Sequence, residues 1–222
     1  APLERPKPVV EEKSNSNYIN ALSEKGWDIN TLNIAVSASY LNDEEKNLIL
    51  AMNLVRSNPP LYADIYVKPF MAMYEGKQIH YPDGTIIKTE EGLIPVRELY
   101  DELMQTKPLP PLKPSRGLSR AAASHAYYQS QNGQIGHDGQ GGMRKRIEKQ
   151  GKWSGALGEN ISYGYQSGHE AVLSLLIDDG VQSRGHRKNI LSPDFSTTGV
   201  SINTHPKYKW VHVIDYAGGF SD

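Results

Sequence analysis

Two short stretches of the chain decide its fold. Residues 157–161 read LGENI, and residues 183–191 read SRGHRKNIL. They place Glu159 and His186 directly after a glycine, and GQIGHDG at 133–139 does the same for His137. Glycine permits tight turns, so these side chains are expected in loops or at a strand start, where a ligand can reach them.

The residue types at these positions suit two kinds of chemistry. Two imidazoles with one or two carboxylates can hold a divalent metal such as zinc, or form a proton-transfer pair without metal. Asp178 and Asp179 stand at the end of the helix predicted before His186. The sequence has no cysteine, no HExxH motif and no GxSxG motif. The spacing alone therefore leaves both readings open, beside an ordinary hydrogen-bonding role.

Periodicity and breakers predict the surrounding elements. Helices are predicted at 43–57, at about 60–67, after Pro95, at 115–132, around Met143 and Ile147, and after Ser167. Strands are predicted as a hairpin at 77–88 and as the stretches 197–203 and 209–217. Asn42 is the expected cap of the first helix, and Ser167 with Glu170 is the expected capping box of the last. Helices and strands mix without a βαβ rhythm, which favours an α+β layered domain.

Composition narrows the class of protein. The 222 residues suffice for one large domain, and a net charge of −1 gives no overall attraction to nucleic acid or anionic lipid. Without cysteine there is neither a disulfide framework nor a thiolate site. No run reaches the ~20 apolar residues of a membrane span. Residues 1–17 are rich in proline and charge, and we expect a flexible tail or tether there before a domain at 18–222.

The basic residues form two groups. Arg144-Lys145-Arg146 is expected on a solvated helix face, whereas the group from Arg184 to Lys188 brackets His186 and is expected to attract an anionic ligand. Aromatic residues do not interleave with either group, so nucleic-acid binding is not predicted. The other singled-out histidines, His125, His205 and His212, are expected to have structural roles.

The two opening stretches together resemble the CAP superfamily, which includes cysteine-rich secretory proteins, and in particular its bacterial SCP-like members. Asn53-Leu54-Val55-Arg56, the helix from Leu118 to His125, Gly136-His137 and Gly199-Val200 agree with the same pattern in the same order. The resemblance covers about 42–220, with 70–94 as an apparent insertion. It implies a three-layer α/β/α sandwich with a central, mainly antiparallel sheet, in a secreted, periplasmic or surface-attached protein.

The resemblance also implies a cleft with two histidines and two acids. Carried onto this chain, they are His137, Glu159, Asp179 and His186, with Asp178 as the alternative third member. We expect His137 and His186 to bind a divalent cation, zinc first, in a binding module for a lipid, glycan, peptide or surface protein. One alternative is a metal-dependent, peptidase-like hydrolase with Glu159 as general base. The other is a structural polar network without metal.

Overall fold

The computed structural model describes residues 15–222. The helices are α1 (Asn15–Glu24), α2 (Ile29–Leu32), a 3-10 turn (Ile34–Ser37), α3 (Asp43–Ser57), α4 (Pro59–Tyr62), a π-helical turn (Ala63–Val67), α5 (Lys68–Met71), α6 (Ile94–Gln105), α7 (Arg116–Asn132), α8 (Met143–Glu148), α9 (Gly168–Ile177) and α10 (Gly185–Ile190). The strands are β1 (Tyr74–Glu75), β2 (Gln78–His80), β3 (Ile86–Lys88), β4 (Lys113–Pro114), β5 (Lys152–Tyr163), β6 (Thr197–His205) and β7 (Lys209–Ser221).

The N-terminal prediction is only partly within reach of the structure. Residues 1–14 of the expected tail lie outside the described residues. The last three residues of that tail, 15–17, already belong to helix α1. No helix in the described range 15–222 has the length and apolarity needed to cross a bilayer.

The central sheet has the strand order β4-β6-β7-β5. β6 and β5 both pair antiparallel with β7, and only the short β4 runs parallel to its neighbour β6. Successive side chains of a strand point to opposite faces. Val213 packs with Ala122 and Ala126 of α7, while Ile214 joins the larger core that α3 and α9 form. The predicted α+β fold, an α/β/α sandwich with a mainly antiparallel sheet, is confirmed.

Local signals explain where the main helices begin and end. Asn42 and Glu45 form a reciprocal capping box at the start of α3, with both hydrogen bonds at 2.9 Å. α7 ends at Gly133, which adopts the left-handed φ of 64° that glycine tolerates best. A Cβ on Gly199 of β6 would lie 2.1 Å from backbone atoms of Leu118 and Ser119, so only glycine lets α7 pack this closely on the sheet.

The capping box expected at Ser167 is wrong in one respect. Ser167 occupies the N-cap position of α9, but its side chain makes no capping hydrogen bond. The Gly168 amide instead donates to a carboxylate oxygen of Glu44 at 3.1 Å. Glu44 of the neighbouring helix α3 therefore caps α9, a role that the local pattern assigned to Ser167.

The predicted insertion at 70–94 forms a small antiparallel sheet of its own, β1-β2-β3. The expected hairpin is present as β2 and β3, with Ile79 opposite Ile87. β1 adds a third strand that the sequence pattern did not predict. This sheet lies beside the loop that carries His186, because Asp179 of that loop accepts hydrogen bonds from the Glu90 and Glu91 amides just after β3.

Candidate functional site

His186 is held by Asp178 through two hydrogen bonds. Its Nδ1 lies 2.6 Å from one carboxylate oxygen of Asp178, and its backbone amide donates to the other at 3.0 Å. Asp178 is 4 % exposed, whereas the His186 side chain is partly open. With Nδ1 bonded, Nε2 is the ring nitrogen that remains for a ligand.

The loop that brings the pair together contains two strained residues. Asp178 and Arg184 adopt φ of 58° and 51°, in the left-handed region that residues other than glycine rarely occupy. Such conformations persist only when surrounding contacts over-determine them, and they are frequent at functional sites. The two turns close the chain between α9 and α10, so that the side chain and amide of His186 return to Asp178.

Of the two acids proposed for the third position, Asp178 and not Asp179 is the one bonded to His186. The Asp179 carboxylate accepts hydrogen bonds from the backbone amides of Glu90 and Glu91, at 2.8 and 2.9 Å. The left-handed turn at Asp178 sends the two adjacent side chains in different directions. Asp178 therefore faces His186, and Asp179 anchors the end of the predicted insertion.

Two of the three basic residues around His186, Arg184 and Arg187, are already paired with carboxylates. Arg184 donates to both carboxylate oxygens of Glu91 and to Glu98, at 2.7 to 2.9 Å. Arg187 is 2 % exposed and pairs with Glu102 at 2.9 Å. Both arginines of this group form ion pairs with carboxylates of the protein itself. The predicted attraction of an anionic ligand by this group is therefore not supported.

Glu159 is the centre of a second polar group. Its two carboxylate oxygens contact Nδ1 of His137 at 2.9 Å and a guanidinium nitrogen of Arg146 at 2.5 Å. Burial raises the pKa of Glu159, but the hydrogen bond from His137 and the charge of Arg146 outweigh it, so the net pKa lies below its ordinary value. Glu159 is therefore a buried carboxylate with both oxygens in use.

Arg146 was expected on a solvated face, and this prediction is wrong. Its side chain is 1 % exposed and also donates to the backbone carbonyls of His137 and Gly139. The guanidinium thus ties the histidine loop to the sheet. The flanking Arg144 and Lys145 remain exposed, so only the third residue of the basic run turns inward, because α8 presents that position to the sheet.

Asp215 of β7 is a further residue that the sequence did not single out. It lies directly opposite Glu159 in the β5–β7 pairing, and its carboxyl group is fully buried beside that of Glu159. Burial, and then the charge of Glu159, hold the pKa of Asp215 well above its ordinary value. Asp215 is therefore a neutral carboxylic acid beside an ionised one.

Two asparagines connect the halves of the site. Asn160 donates to the backbone carbonyl of His186 at 3.0 Å, and Asn189 donates to the side-chain oxygen of Asn160 at 2.8 Å. The stretches LGENI and SRGHRKNIL therefore contact each other directly. Glu159 and Asn160 are consecutive on a strand, so the two histidine–acid pairs meet β5 at opposite faces.

The position of the two histidine–acid pairs at opposite faces of β5 affects the expected binding of a divalent cation. Carboxylates bonded to Nδ1 of both His137 and His186 orient the rings as they do for metal-binding histidines. Within residues 15–222, however, no three His, Asp or Glu side chains form a group that could hold a metal ion. The described side chains thus do not fit a closed zinc site of three or four protein ligands.

A large cavity, which we call the tyrosine cleft, opens beside His186. It measures about 1290 Å³ and is bounded by α1, α5, the small β1–β3 sheet, α9 and the loop 178–186. His169 also lines it and lies 3.1 Å from the Tyr62 hydroxyl. Burial lowers the pKa of His169 to about 4, so this imidazole is neutral at physiological pH. Asp178 and His186 form part of the cleft wall, whereas His137 and Glu159 are not among the described residues that line it.

The three histidines expected to have structural roles, His125, His205 and His212, all lie in the interior. His125 bonds the Gly136 carbonyl at 2.9 Å, and His205 bonds the Gln134 carbonyl at 3.1 Å. His212 is fully buried on β7.

Two solved structures of bacterial proteins are partly similar to this chain. An outer surface protein of Borrelia burgdorferi is similar over 49 % of this chain and 78 % of its own, with 17 % identity and a TM-score of 0.42. An extracellular SCP-domain protein of Bacillus anthracis is similar over 56 % of this chain and 37 % of its own, with 22 % identity and a TM-score of 0.40.

No curated protein sequence matches the chain significantly. The sequence model of the cysteine-rich secretory protein family, CAP, matches residues 51–216, which is well over half of the chain. That match contains every residue of both histidine–acid pairs, and the chain therefore belongs to the CAP family.

Proposed function

We propose that the chain is an extracytoplasmic binding module that holds its ligand in the tyrosine cleft, with His186 as the polar contact. The observation that carries this is the Asp178–His186 pair in the cleft wall, with Nδ1 fixed 2.6 Å from the carboxylate. A carboxylate at Nδ1 orients the ring and leaves Nε2 to a ligand. A cavity with mainly apolar walls and a few convergent polar groups is the usual form of a ligand site.

The second pair has a different proposed role. Glu159 is buried with an arginine on one oxygen and His137 on the other, which is how a polar network pins a loop to a sheet. A general base needs an oxygen within hydrogen-bond reach of its substrate, and both oxygens of Glu159 are taken. This geometry favours the structural role for Glu159 over the peptidase-like one.

Ligand binding in the cleft can be tested with a panel from three chemical classes. Uncharged oligosaccharides, a fatty acid such as palmitate, and apolar tripeptides would each be titrated while the histidine and tyrosine ring signals are followed by NMR. We expect one class to shift His186 and the tyrosines of the cleft. Leu173→Trp, which fills the cleft from α9, should remove the shifts, and His186→Ala should weaken binding.

The matched control is Ile135→Trp, at a position that is 58 % exposed and outside the described cleft lining. It should bind like the wild type. If none of the three classes moves the cleft signals, or if Leu173→Trp binds as well as the wild type, the proposed function is wrong.

A further inference from the structure

Tyrosine is concentrated in the cleft. Seven of the 13 tyrosines of the chain line it: Tyr18, Tyr66, Tyr74, Tyr81, Tyr163, Tyr165 and Tyr208. All seven are half-buried, so part of each side chain stays accessible. A tyrosine combines a flat apolar ring with a hydroxyl at its edge. Such walls suit a ligand that also has apolar faces and many hydroxyl groups.

The charge of the lining argues against an anionic ligand. Lys25 and Lys88 are the lysines of the described lining, whereas four acidic residues contribute to it: Glu44, Glu170, Asp178 and Asp179. No arginine is among the described lining residues. A phosphate, a sulfated sugar or an anionic lipid headgroup would meet no excess of positive charge here.

The size of the cleft sets the length of the ligand. Sites for single small molecules usually enclose about 300–1,000 Å³, and this cleft has about 1290 Å³. Its walls extend from α1 across the small sheet to the loop of His186. The cleft therefore has room for a ligand of several linked units.

An acyl chain would fill the volume of the cleft, but its methylene groups cannot pair with Nε2 of His186. Removing that nitrogen from water without a partner costs on the order of 1–3 kcal/mol. Hydroxyl groups on the ligand would replace that water.

We propose that the tyrosine cleft binds an uncharged oligosaccharide of several rings. The apolar faces of the sugar rings stack on the tyrosines, and the hydroxyl groups bond to the polar atoms between them, His186 included. This inference rests on the proposed function of the cleft as a ligand site and names the class of that ligand.

Calorimetry with linear, uncharged oligosaccharides of two to six rings, of the cellulose, chitin and xylan types, tests the inference. We expect affinity to rise with the number of rings for at least one type. Tyr74→Ala should weaken binding roughly 3- to 10-fold, as the loss of one stacked ring does. Tyr74→Phe should bind within about twofold of the wild type, because it keeps the ring.

Two further variants control for damage to the small sheet and for binding outside the cleft. Tyr165→Ala removes a ring just beyond the end of β5, outside the chain segment of the small sheet, and should weaken binding even if Tyr74→Ala disturbs that sheet. Tyr127→Ala is the matched control, because Tyr127 is 61 % exposed on α7 and outside the described lining. Near-ultraviolet circular dichroism of each variant checks that the fold is kept.

The outcomes separate this inference from the function it rests on. If palmitate or a tripeptide shifts the cleft signals and no oligosaccharide binds, the ligand class is wrong and the binding module stands. Sugar binding that is equal in wild type, Tyr74→Ala and Tyr165→Ala places the sugar elsewhere and overturns the inference. Tighter binding of a sulfated oligosaccharide than of its uncharged form also overturns it. If no class binds, both proposals fail together.

Discussion

Glu159 on β5 and Asp215 on β7 lie directly opposite each other, and both side chains are buried on the face of the sheet that α7 covers. Two adjacent buried carboxyl groups cannot both be ionised at low cost. Arg146 and His137 keep the charge on Glu159, so Asp215 holds a proton and can share it with its neighbour. Asp215 therefore influences the site through Glu159, its partner across the sheet.

Asp215→Asn is expected to stabilise the protein at neutral pH. The unfolded chain ionises Asp215 above about pH 4, while the folded chain keeps it neutral because its pKa is raised. The wild type therefore loses stability as pH rises, by up to about 1.4 kcal/mol per pH unit until the folded group titrates. Asparagine avoids this loss. Urea unfolding at pH 4.5 and 7 should show a variant advantage that grows with pH; Asp194→Asn, on the surface, should show none.

Arg146→Met should be strongly destabilising. It leaves the Glu159 carboxylate buried beside an apolar side chain and removes donors from the carbonyls of His137 and Gly139. Breaking a buried ion pair from one side costs roughly 3–5 kcal/mol. The side chain of Arg144, two residues earlier, is 64 % exposed, and Arg144→Met should cost less than about 1 kcal/mol. Equal losses of unfolding free energy would contradict the internal role of Arg146.

The neighbouring acids Asp178 and Asp179 should have separable effects on hydrogen exchange. Asp179→Ala should speed exchange of the Glu90 and Glu91 amides, which donate to it, roughly tenfold, since a lost charge-assisted hydrogen bond is worth about 1.5 kcal/mol or more. Asp178→Ala should instead speed exchange of the His186 amide. Each variant is the control of the other. Identical exchange patterns would mean that the two carboxylates are not directed apart.

Acid should destabilise the fold well above the pH at which carboxylates titrate. Burial lowers the pKa of His212 to about 4, so between about pH 6.5 and 4 the unfolded chain takes up a proton that the folded chain refuses. Stability then falls as pH falls, by up to roughly 3 kcal/mol for this histidine. His212→Gln should flatten the pH profile of the melting temperature. His80→Gln, at a half-exposed position, should leave it unchanged.

Zinc titration checks the cation that the family resemblance implies. Because the described side chains provide no group of three ligands, we expect only weak binding, on the order of hundreds of micromolar, through imidazoles completed by water. The heat should vanish in a His137→Ala/His186→Ala double variant. Nanomolar affinity, or binding that survives the double variant, would contradict this expectation.

Much of the architecture could be predicted from local sequence. Asn42 and Glu45 mark where α3 begins, Gly133 marks where α7 ends, and the alternation around Val211 and Val213 indicates a strand. These signals are readable because capping, helix termination and strand alternation depend on residues only a few positions apart. The order of the family stretches then implied the α/β/α sandwich.

Only the tertiary structure decided what these side chains do. The left-handed turn at Asp178 chose it over Asp179, the packing of α8 buried Arg146, and the pairing of β5 with β7 set Asp215 against Glu159. The tyrosine cleft likewise joins residues from α1, the small sheet and the loop of His186. The spacing of residues in the sequence does not predict any of these contacts, because each one depends on which distant segment the fold brings next to the side chain.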